Sequence, residues 1–210
     1  STASMSFFAD EDNVHTGKLA FETWFFDEFM SYVEAKHALC AQKSCRGVIG
    51  SSMGGFGALK TVLRRPELFN FGGANFPAVL PVNIYDWTME EWKAYFSDKG
   101  IGPKIGEIFI KELREIFPTP AIYDAHDPVT LVKNWPVGKP FPPFYFDVGG
   151  EDQFGFFDGF HRLQKVLDEK KFHYDSRFDP LGDHFSNDGH FGDHLLRGTA
   201  ETISGERWRR

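Results

Sequence analysis

The sequence is poor in cysteine, in basic charge and in long apolar runs. It carries 30 acidic side chains against 23 lysines and arginines, which gives a formal net charge of −7. Nucleic acids and anionic membrane surfaces bind to clusters of basic residues, so neither is an expected partner. No apolar run approaches the roughly 20 residues that a membrane-spanning helix needs. What remains is a globular chain of 210 residues, for which a single domain is predicted.

The two cysteines, Cys40 and Cys45, lie close together in the stretch CAQKSC. A structural zinc site needs further ligands, and no second cysteine pair exists, so zinc is not expected. Two reduced thiols in a helix-to-strand connection are the favoured interpretation. The alternative is a short-loop disulfide, which requires an oxidising compartment. No signal peptide is recognised, and a cytoplasmic location is favoured over secretion.

Phenylalanine is abundant, with 24 residues, and strand-like and helix-like segments alternate along the chain. Short apolar segments predict strands at 46–51, 69–76, 141–150 and 172–179. Apolar side chains at helical spacing predict helices at 21–37, 52–65, 157–171 and 191–204. This alternation is typical of an α/β fold with a mostly parallel sheet flanked by helices.

The interval 77–140 interrupts this alternation and is too long for a simple crossover. It contains several prolines and tryptophans, and helices are predicted within it at 88–96 and 105–117. We interpret it as an inserted helical cap over the strand ends, with Trp87 and Trp92 lining an apolar substrate pocket. The alternative is a packed crossover without a functional role.

The stretch GVIGSSMGGFG places Gly50, Ser52 and Gly54 in the pattern G-x-S-x-G, after a predicted strand and before a predicted helix. This context is the one in which a serine becomes a nucleophile at a sharp, strained turn. Residues two before and two after that serine approach each other closely, so glycine is needed at both positions. The first helical amide, that of Met53, points to where an oxyanion would form.

Other interpretations of this glycine-rich stretch fit less well. A phosphate-binding loop requires a glycine directly before its lysine, and here Leu59 precedes Lys60. No frame gives the dinucleotide pattern G-x-G-x-x-G. A metal site at His190 and His194 is not expected either, because the residues between them do not form H-E-x-x-H. We therefore expect no cofactor and no metal.

A nucleophilic serine needs a histidine base and an acid that orients it. Asp152 follows the third predicted strand directly, where the active-site groups of parallel sheets gather, and it is the preferred acid. Asp147, Glu151 and Asp158 remain alternatives. For the base, His184, His190 and His194 all follow the last predicted strand, and their spacing alone leaves the choice open.

The segment GSSMGGFGALKTVLRRPELFNF resembles the elbow of the esterase D branch of the α/β-hydrolases. That branch reads G-x-S-M-G-G-x-G-A-L followed by a basic-Pro-x-x-Phe segment, and it includes S-formylglutathione hydrolases, feruloyl esterases and mycolyltransferases. The resemblance covers most of the chain and implies an α/β-hydrolase-type fold. It implies Asp152 as the acid, through DVGGEDQF, and His184 as the base, with His190 as the alternative.

The sequence departs from this family before the helix at 21–37, where the family has several strands and a second oxyanion donor. Almost nothing corresponds to them here, so Met53 is the only donor that we can name. We expect that an additional N-terminal segment or a second copy of the chain completes the sheet, or that the oxyanion hole is built differently.

The predicted function is that of a serine carboxylic-ester hydrolase. Ser52, Asp152 and His184 would act through an acyl-enzyme on a small-molecule ester or thioester with a small or aromatic acyl group. One alternative is an acyltransferase that uses the same three residues. Another is a binding module that retains the elbow without catalysis.

Overall fold

A computed structural model describes residues 7–13 and 17–184 of the chain. Its centre is a parallel sheet in the order β3-β4-β5-β6. The bounds of its strands are Gly47–Ser51 for β3, Phe71–Asn75 for β4, Phe144–Gly149 for β5 and Asp175–Asp179 for β6. All four predicted strands are therefore confirmed, and the sheet is flanked by helices as predicted. Sequential strands lie side by side, so the loops after them meet at one edge of the sheet.

The helices between the strands cover this sheet. Their bounds are Met53–Arg64 for α3, Met89–Asp98 for α4, Pro103–Ile116 for α5, Pro120–Asp124 for α6, Pro128–Lys133 for α7 and Phe156–Glu169 for α8. The short helices α6 and α7 were not predicted. The helix predicted at 191–204 lies outside the described residues. Within the described part of the chain, no helix is long and apolar enough to cross a membrane.

The N-terminal region forms a small unit beside the sheet. Strands β1 (Asp10–Asn13) and β2 (Gly17–Ala20) pair as an antiparallel hairpin that is separate from the main sheet and was not predicted. Three successive helical segments then cover the helix predicted at 21–37, namely α1 (Phe21–Trp24), a π-helical segment (Phe25–Phe29) and α2 (Met30–His37).

The two cysteines form a disulfide in the connection between α2 and β3. The structure joins Cys40 to Cys45, so the favoured interpretation of two reduced thiols is corrected to the short-loop disulfide. Arg46, the next residue, donates two hydrogen bonds of 2.6 Å to the Glu34 carboxylate on α2. The disulfide and this ion pair both join the end of α2 to the start of the strand that leads to Ser52.

The strands differ in how far they are buried. Every residue of β4 and β5 is buried, because helices and neighbouring strands cover them on all sides. In β3 the residues Gly47, Ile49 and Ser51 are exposed, and in the described part of the chain this strand pairs with β4 alone. The serine motif therefore follows an edge strand, whereas Asp152 follows an inner one.

Candidate active site

Ser52 occupies a strained turn between β3 and α3. Its backbone has φ 55° and ψ −120°, a conformation that non-glycine residues rarely adopt. The turn is so tight that a Cβ built on Gly50 would lie 2.2 Å from the carbonyl oxygen of Gly54. This contact explains why the pattern requires glycine at position 50. The predicted need for glycine at position 54 is wrong, because a Cβ built on Gly54 would meet the Phe8 ring at an ordinary 3.9 Å.

The end of β4 and the turn after it bond to both the amide and the carbonyl of Ser52. The Ser52 amide donates to the carbonyl of Asn75 at 2.9 Å, and the amide of Ala78 donates to the Ser52 carbonyl at 3.0 Å. Both bonds lie on the side of β3 that already pairs with β4. They fix the turn relative to the inner part of the sheet.

Asp152 lies in the loop after β5 and is 4% exposed. Its Oδ1 accepts a hydrogen bond of 2.8 Å from the amide of Phe154, which orients the carboxylate. The loop approaches the one after β6 closely, since a Cβ built on Gly149 would lie 2.0 Å from the carbonyl oxygen of Gly182. The amide of Glu151 also donates to that carbonyl, at 2.9 Å. The acid loop is thereby joined to the loop that carries His184.

His184 connects the other two residues. Its Nδ1 lies 2.7 Å from Oδ2 of Asp152, and its Nε2 lies 2.9 Å from Oγ of Ser52. An ionised carboxylate only accepts hydrogen bonds, so the neutral ring carries its proton on Nδ1 and accepts the Ser52 hydroxyl proton on Nε2. The imidazole is 3% exposed and lies among the rings of Phe76, Phe154 and Phe156. This arrangement can accept a proton from Ser52 when the hydroxyl attacks.

The other candidate residues lie elsewhere. Asp147 accepts hydrogen bonds from the Phe76 amide and the Tyr145 hydroxyl, and burial raises the pKa of its carboxyl to about 6. Asp158 contacts the Tyr95 hydroxyl at 2.8 Å and forms an ion pair with Lys99. His190 and His194 lie outside the described residues. Of the predicted acids and bases, the structure brings Asp152 and His184 to Ser52.

An apolar cavity of about 260 Å³ opens beside Ser52 and Met53. Met53 begins α3, and the first amides of a helix have no acceptor within that helix. The Met53 amide could therefore donate a hydrogen bond to an oxyanion formed at Ser52. Most of the apolar wall comes from α4, α5 and the loop between them, and from the acid loop and the start of α8. The side chains are Phe96, Ile101, Ile105, Phe109, Phe154 and Phe156.

The predicted pocket role of Trp87 and Trp92 is corrected. Trp92 is fully buried, and its indole N–H donates to the carbonyl of Ile84 at 3.1 Å. Trp87 packs on Trp92, with ring centroids 4.7 Å apart, and on Tyr95. Both tryptophans stabilise the inside of the segment 77–140, while Phe96, next to Tyr95, reaches the cavity.

Sequence reasoning missed Phe7, which is buried and contributes to the cavity wall from the N-terminal region. Its position depends on Lys60 of α3, whose ammonium donates to the carbonyls of Phe7 and Phe8 and pairs with Glu22 at 3.2 Å. Burial lowers the pKa of Lys60 to about 8. A lysine inside the otherwise apolar stretch GALKTVL was the one available signal of such a buried contact.

No group of three or more histidine, cysteine, aspartate or glutamate side chains that could hold a metal ion occurs within residues 7–13 and 17–184. The acidic and histidine-rich stretch between 185 and 194 lies outside these residues.

The chain matches a known protein family over most of its length. The family model described as "Putative esterase" matches residues 7–198. This range includes Ser52, Asp152 and His184. A search of curated protein sequences gave no significant match.

Solved structures of low sequence identity share the fold. An S-formylglutathione hydrolase from Agrobacterium tumefaciens has a TM-score of 0.67 and 22% identity, over 94% of this chain and 63% of that one. One from Staphylococcus aureus has a TM-score of 0.60 and 18% identity, over 94% and 68%. MPT51 from Mycobacterium tuberculosis has a TM-score of 0.63 and 15% identity, over 97% and 74%. The present chain thus spans less than two thirds of the length of the Agrobacterium enzyme, and these likenesses establish an α/β-hydrolase fold.

Proposed function

The chain belongs to the esterase family that this model describes, and we propose that it is a serine carboxylic-ester hydrolase that works through an acyl-enzyme. The single observation that supports this best is the hydrogen-bonded relay from Asp152 through His184 to Ser52, with distances of 2.7 and 2.9 Å. Nucleophile, base and orienting acid within hydrogen-bond reach are the signature of nucleophilic catalysis.

In the proposed reaction, Oγ of Ser52 attacks the ester carbonyl while Nε2 of His184 takes the hydroxyl proton. The carbonyl oxygen becomes an oxyanion beside the Met53 amide, and the carboxylate of Asp152 stabilises the imidazolium. When the C–O bond to the leaving group breaks, His184 returns the proton to the departing alkoxide. Water then attacks the acyl-enzyme with the same histidine as base, and this step releases the acid and restores Ser52.

The proposed substrate is a small-molecule ester or thioester with an apolar acyl group. A cavity of about 260 Å³ has room for a short aliphatic chain or a single aromatic ring, and its wall is nearly all apolar. We treat the segment 77–140 as a cap in this proposal, because α4 and α5 place side chains in that wall. The reaction needs no cofactor.

The test is turnover of p-nitrophenyl acetate, butyrate and hexanoate by the wild-type chain and by Ser52→Ala. We expect hydrolysis by the wild type and a loss on the order of 10³-fold or more in kcat for the variant. Ser51→Ala is the matched control, because Ser51 is the preceding residue and lies outside the relay, and it should retain activity. A wild-type chain that turns over none of these esters, or a Ser52→Ala variant as active as the wild type, would refute the proposal.

Transfer of the acyl group to an added alcohol would appear in the same assay as a second product. Free acid as the main product in water supports the hydrolase. A predominant transfer product in dilute alcohol would instead support the acyltransferase.

A further inference from the structure

We infer that Asp147, which lies outside the relay, is a positioning residue for His184: its carboxylate fixes the turn at Phe76, and the Phe76 ring holds the imidazole in place. The inference rests on the proposed function, since it assigns a role in the same site. It makes the inner strands β4 and β5 responsible for the distance between the histidine and the serine.

The Asp147 carboxylate is fully buried on β5 and has partners on both oxygens. Oδ1 accepts the amide of Phe76 at 3.1 Å, and Oδ2 accepts the hydroxyl of Tyr145 at 2.7 Å. Buried carboxylates are costly unless they are hydrogen-bonded. The bond from the Phe76 amide links the carboxylate to the backbone turn that follows β4, so the carboxylate fixes an element beyond its own strand.

Phe76 needs such a contact because its backbone is strained. Its φ of 36° lies in the left-handed region, which a bulky residue enters only when its surroundings impose it. Its amide donates to the main-chain carbonyl of Asp147 at 3.0 Å as well as to the carboxylate. Two acceptors from one residue thus converge on the N–H of the strained position.

The ring of Phe76 meets the imidazole of His184 directly. Their centroids are 4.4 Å apart with an interplanar angle of 51°, shorter than the distances from His184 to Phe154 and Phe156, 4.6 and 5.4 Å. Phe154 and Phe156 belong to the loop and helix that follow Asp152. Phe76, by contrast, belongs to the segment after β4 whose neighbouring residues bond to the Ser52 backbone.

The same turn also holds the serine. Asn75 and Ala78, which flank Phe76, bond to the amide and the carbonyl of Ser52. A single four-residue segment thus contacts the backbone of Ser52 and the ring of His184. A change in the Phe76 backbone would alter the separation of Oγ and Nε2, and a misplacement of about 1 Å can reduce turnover by about 10²-fold.

The first test compares Asp147→Ala with Asp147→Asn. The asparagine side chain can still accept the Phe76 amide with its oxygen and donate to the Tyr145 oxygen with its nitrogen. We expect Asp147→Ala to lower kcat by about 10- to 100-fold with KM changed less than about twofold, because positioning acts on the chemical step. Asp147→Asn should keep kcat within about threefold of the wild type. Wild-type kcat in Asp147→Ala would overturn the inference, and so would an asparagine variant as impaired as the alanine one.

The second test keeps the inference falsifiable if Asp147→Ala does not fold. Phe76→Leu removes the ring whose centroid lies 4.4 Å from that of His184, and Phe71→Leu is the matched control, a buried ring at the start of the strand that leads to Phe76. At equal melting temperature, kcat should fall at least about tenfold in Phe76→Leu and stay near the wild-type value in Phe71→Leu. Equal losses in both variants would refute a specific role for Phe76.

A spectroscopic measurement separates this inference from the proposed function. The imidazole proton between His184 and Asp152 should give a low-field NMR signal, and Phe76→Leu or Asp147→Ala should shift or broaden it while Phe71→Leu leaves it unchanged. An unaltered signal in both test variants would refute the positioning role, whatever the activity. Loss of the proposed function alone would instead appear as a wild type that hydrolyses no ester.

Discussion

Two parts of the site can be compared. The serine arm is the turn that carries Ser52, and the acid–base arm is formed by the loops that carry Asp152 and His184. Both contain a close backbone approach, but the serine arm is exposed and the acid–base arm is buried. Each requires a backbone approach that leaves no space for a Cβ, at Gly50 against Gly54 in the first and at Gly149 against Gly182 in the second. The first approach lies in an edge strand with exposed residues, and the second lies at the end of a fully buried strand. Close backbone approach is thus common to both arms, whereas burial is not.

This difference matches what each arm must do. As the proposed nucleophile, Ser52 has to meet substrate, and it lies at the wall of the cavity with part of its surface open. Asp152 and His184 are nearly inaccessible, and the lower local dielectric strengthens the hydrogen bond between them. The exposed arm is held by local turn geometry and two backbone bonds, and the buried arm is held by packing.

Removing the base should have the largest effect on activity. We expect His184→Ala to lower kcat on p-nitrophenyl butyrate by on the order of 10³-fold or more, and Asp152→Asn by a comparable factor, because the relay acts as a unit. His161→Ala, an exposed histidine on α8, is the control and should remain active. Full activity in His184→Ala would move the base to another residue, with His190 as the first alternative.

Adding a Cβ at Gly50 or Gly149 should have the next largest effect on the protein. These two variants test directly how the serine arm and the acid–base arm differ. Gly149→Ala should lower the free energy of unfolding by about 2–4 kcal/mol, because its neighbours are buried and cannot move aside. Gly50→Ala should cost about 1–2 kcal/mol, because the edge strand can shift, while activity still falls by about 10²-fold.

The control for both variants is Gly47→Ala, whose Cβ would meet its nearest neighbour at an ordinary 3.5 Å. Urea unfolding and ester turnover measure the two effects. If Gly50→Ala destabilised the chain more than Gly149→Ala, the edge strand would be the more rigid arm, contrary to the comparison.

Burial of Asp147 should make stability depend on pH. Burial raises the pKa of this carboxyl from its ordinary value of 3.8 to about 6, against the opposing effects of Tyr145, the Phe76 amide and Arg177. Between those two values the folded chain keeps a proton that the unfolded chain has lost, so its contribution to stability is present below about pH 4 and is lost as the pH rises through about 6.

Urea unfolding of the wild type and Asp147→Asn at pH 4.5 and 7.5 measures this contribution. From pH 4.5 to pH 7.5 the free energy of unfolding of the wild type should fall by on the order of 2 kcal/mol more than that of the variant. Asp98→Asn, an exposed carboxylate on α4, is the control and should follow the wild type. Parallel behaviour of Asp147→Asn and the wild type would show that Asp147 is ionised without penalty.

The smallest expected effect concerns substrate preference. Ile105→Phe should narrow the exposed end of the cavity and lower kcat/KM for p-nitrophenyl hexanoate by about fivefold more than for the acetate. Trp87→Ala is the comparison, because Trp87 packs behind the cavity wall and should leave the ratio unchanged at equal stability. A changed ratio of kcat/KM values in Trp87→Ala, with an unchanged ratio in Ile105→Phe, would instead support the sequence-based prediction that Trp87 lines the pocket.

The sequence predicted the parts of the fold that have strong local signals. Apolar periodicity located the main strands and long helices, and the motif around Ser52 located the turn. It missed the hairpin of β1 and β2, whose polar residues show no alternation, and α6 and α7, which are too short for periodicity. Threonine or aspartate followed by proline at Thr119 and Asp127 was the available signal for the start of these two helices.

The candidate site was predicted unevenly for a similar reason. Asp152 follows a strand directly, and His184 was preferred through the family resemblance, whereas the pocket depended on which aromatic side chains face inward. Composition placed the aromatic residues in the right segment but did not distinguish Trp92, which is buried in the core, from Phe96, which faces the cavity. The spacing of Cys40 and Cys45 was likewise compatible with either redox state.

We infer that the exposed arm presents Ser52, and not Ser51, to substrate with His184 as its base. The most direct test is labelling with a fluorophosphonate, followed by peptide mapping of the adduct in the wild type, Ser51→Ala and His184→Ala. We expect one adduct on Ser52 in the wild type and in Ser51→Ala, and labelling slowed by at least about 10²-fold in His184→Ala. An adduct on Ser51, or undiminished labelling of Ser52 without His184, would contradict it.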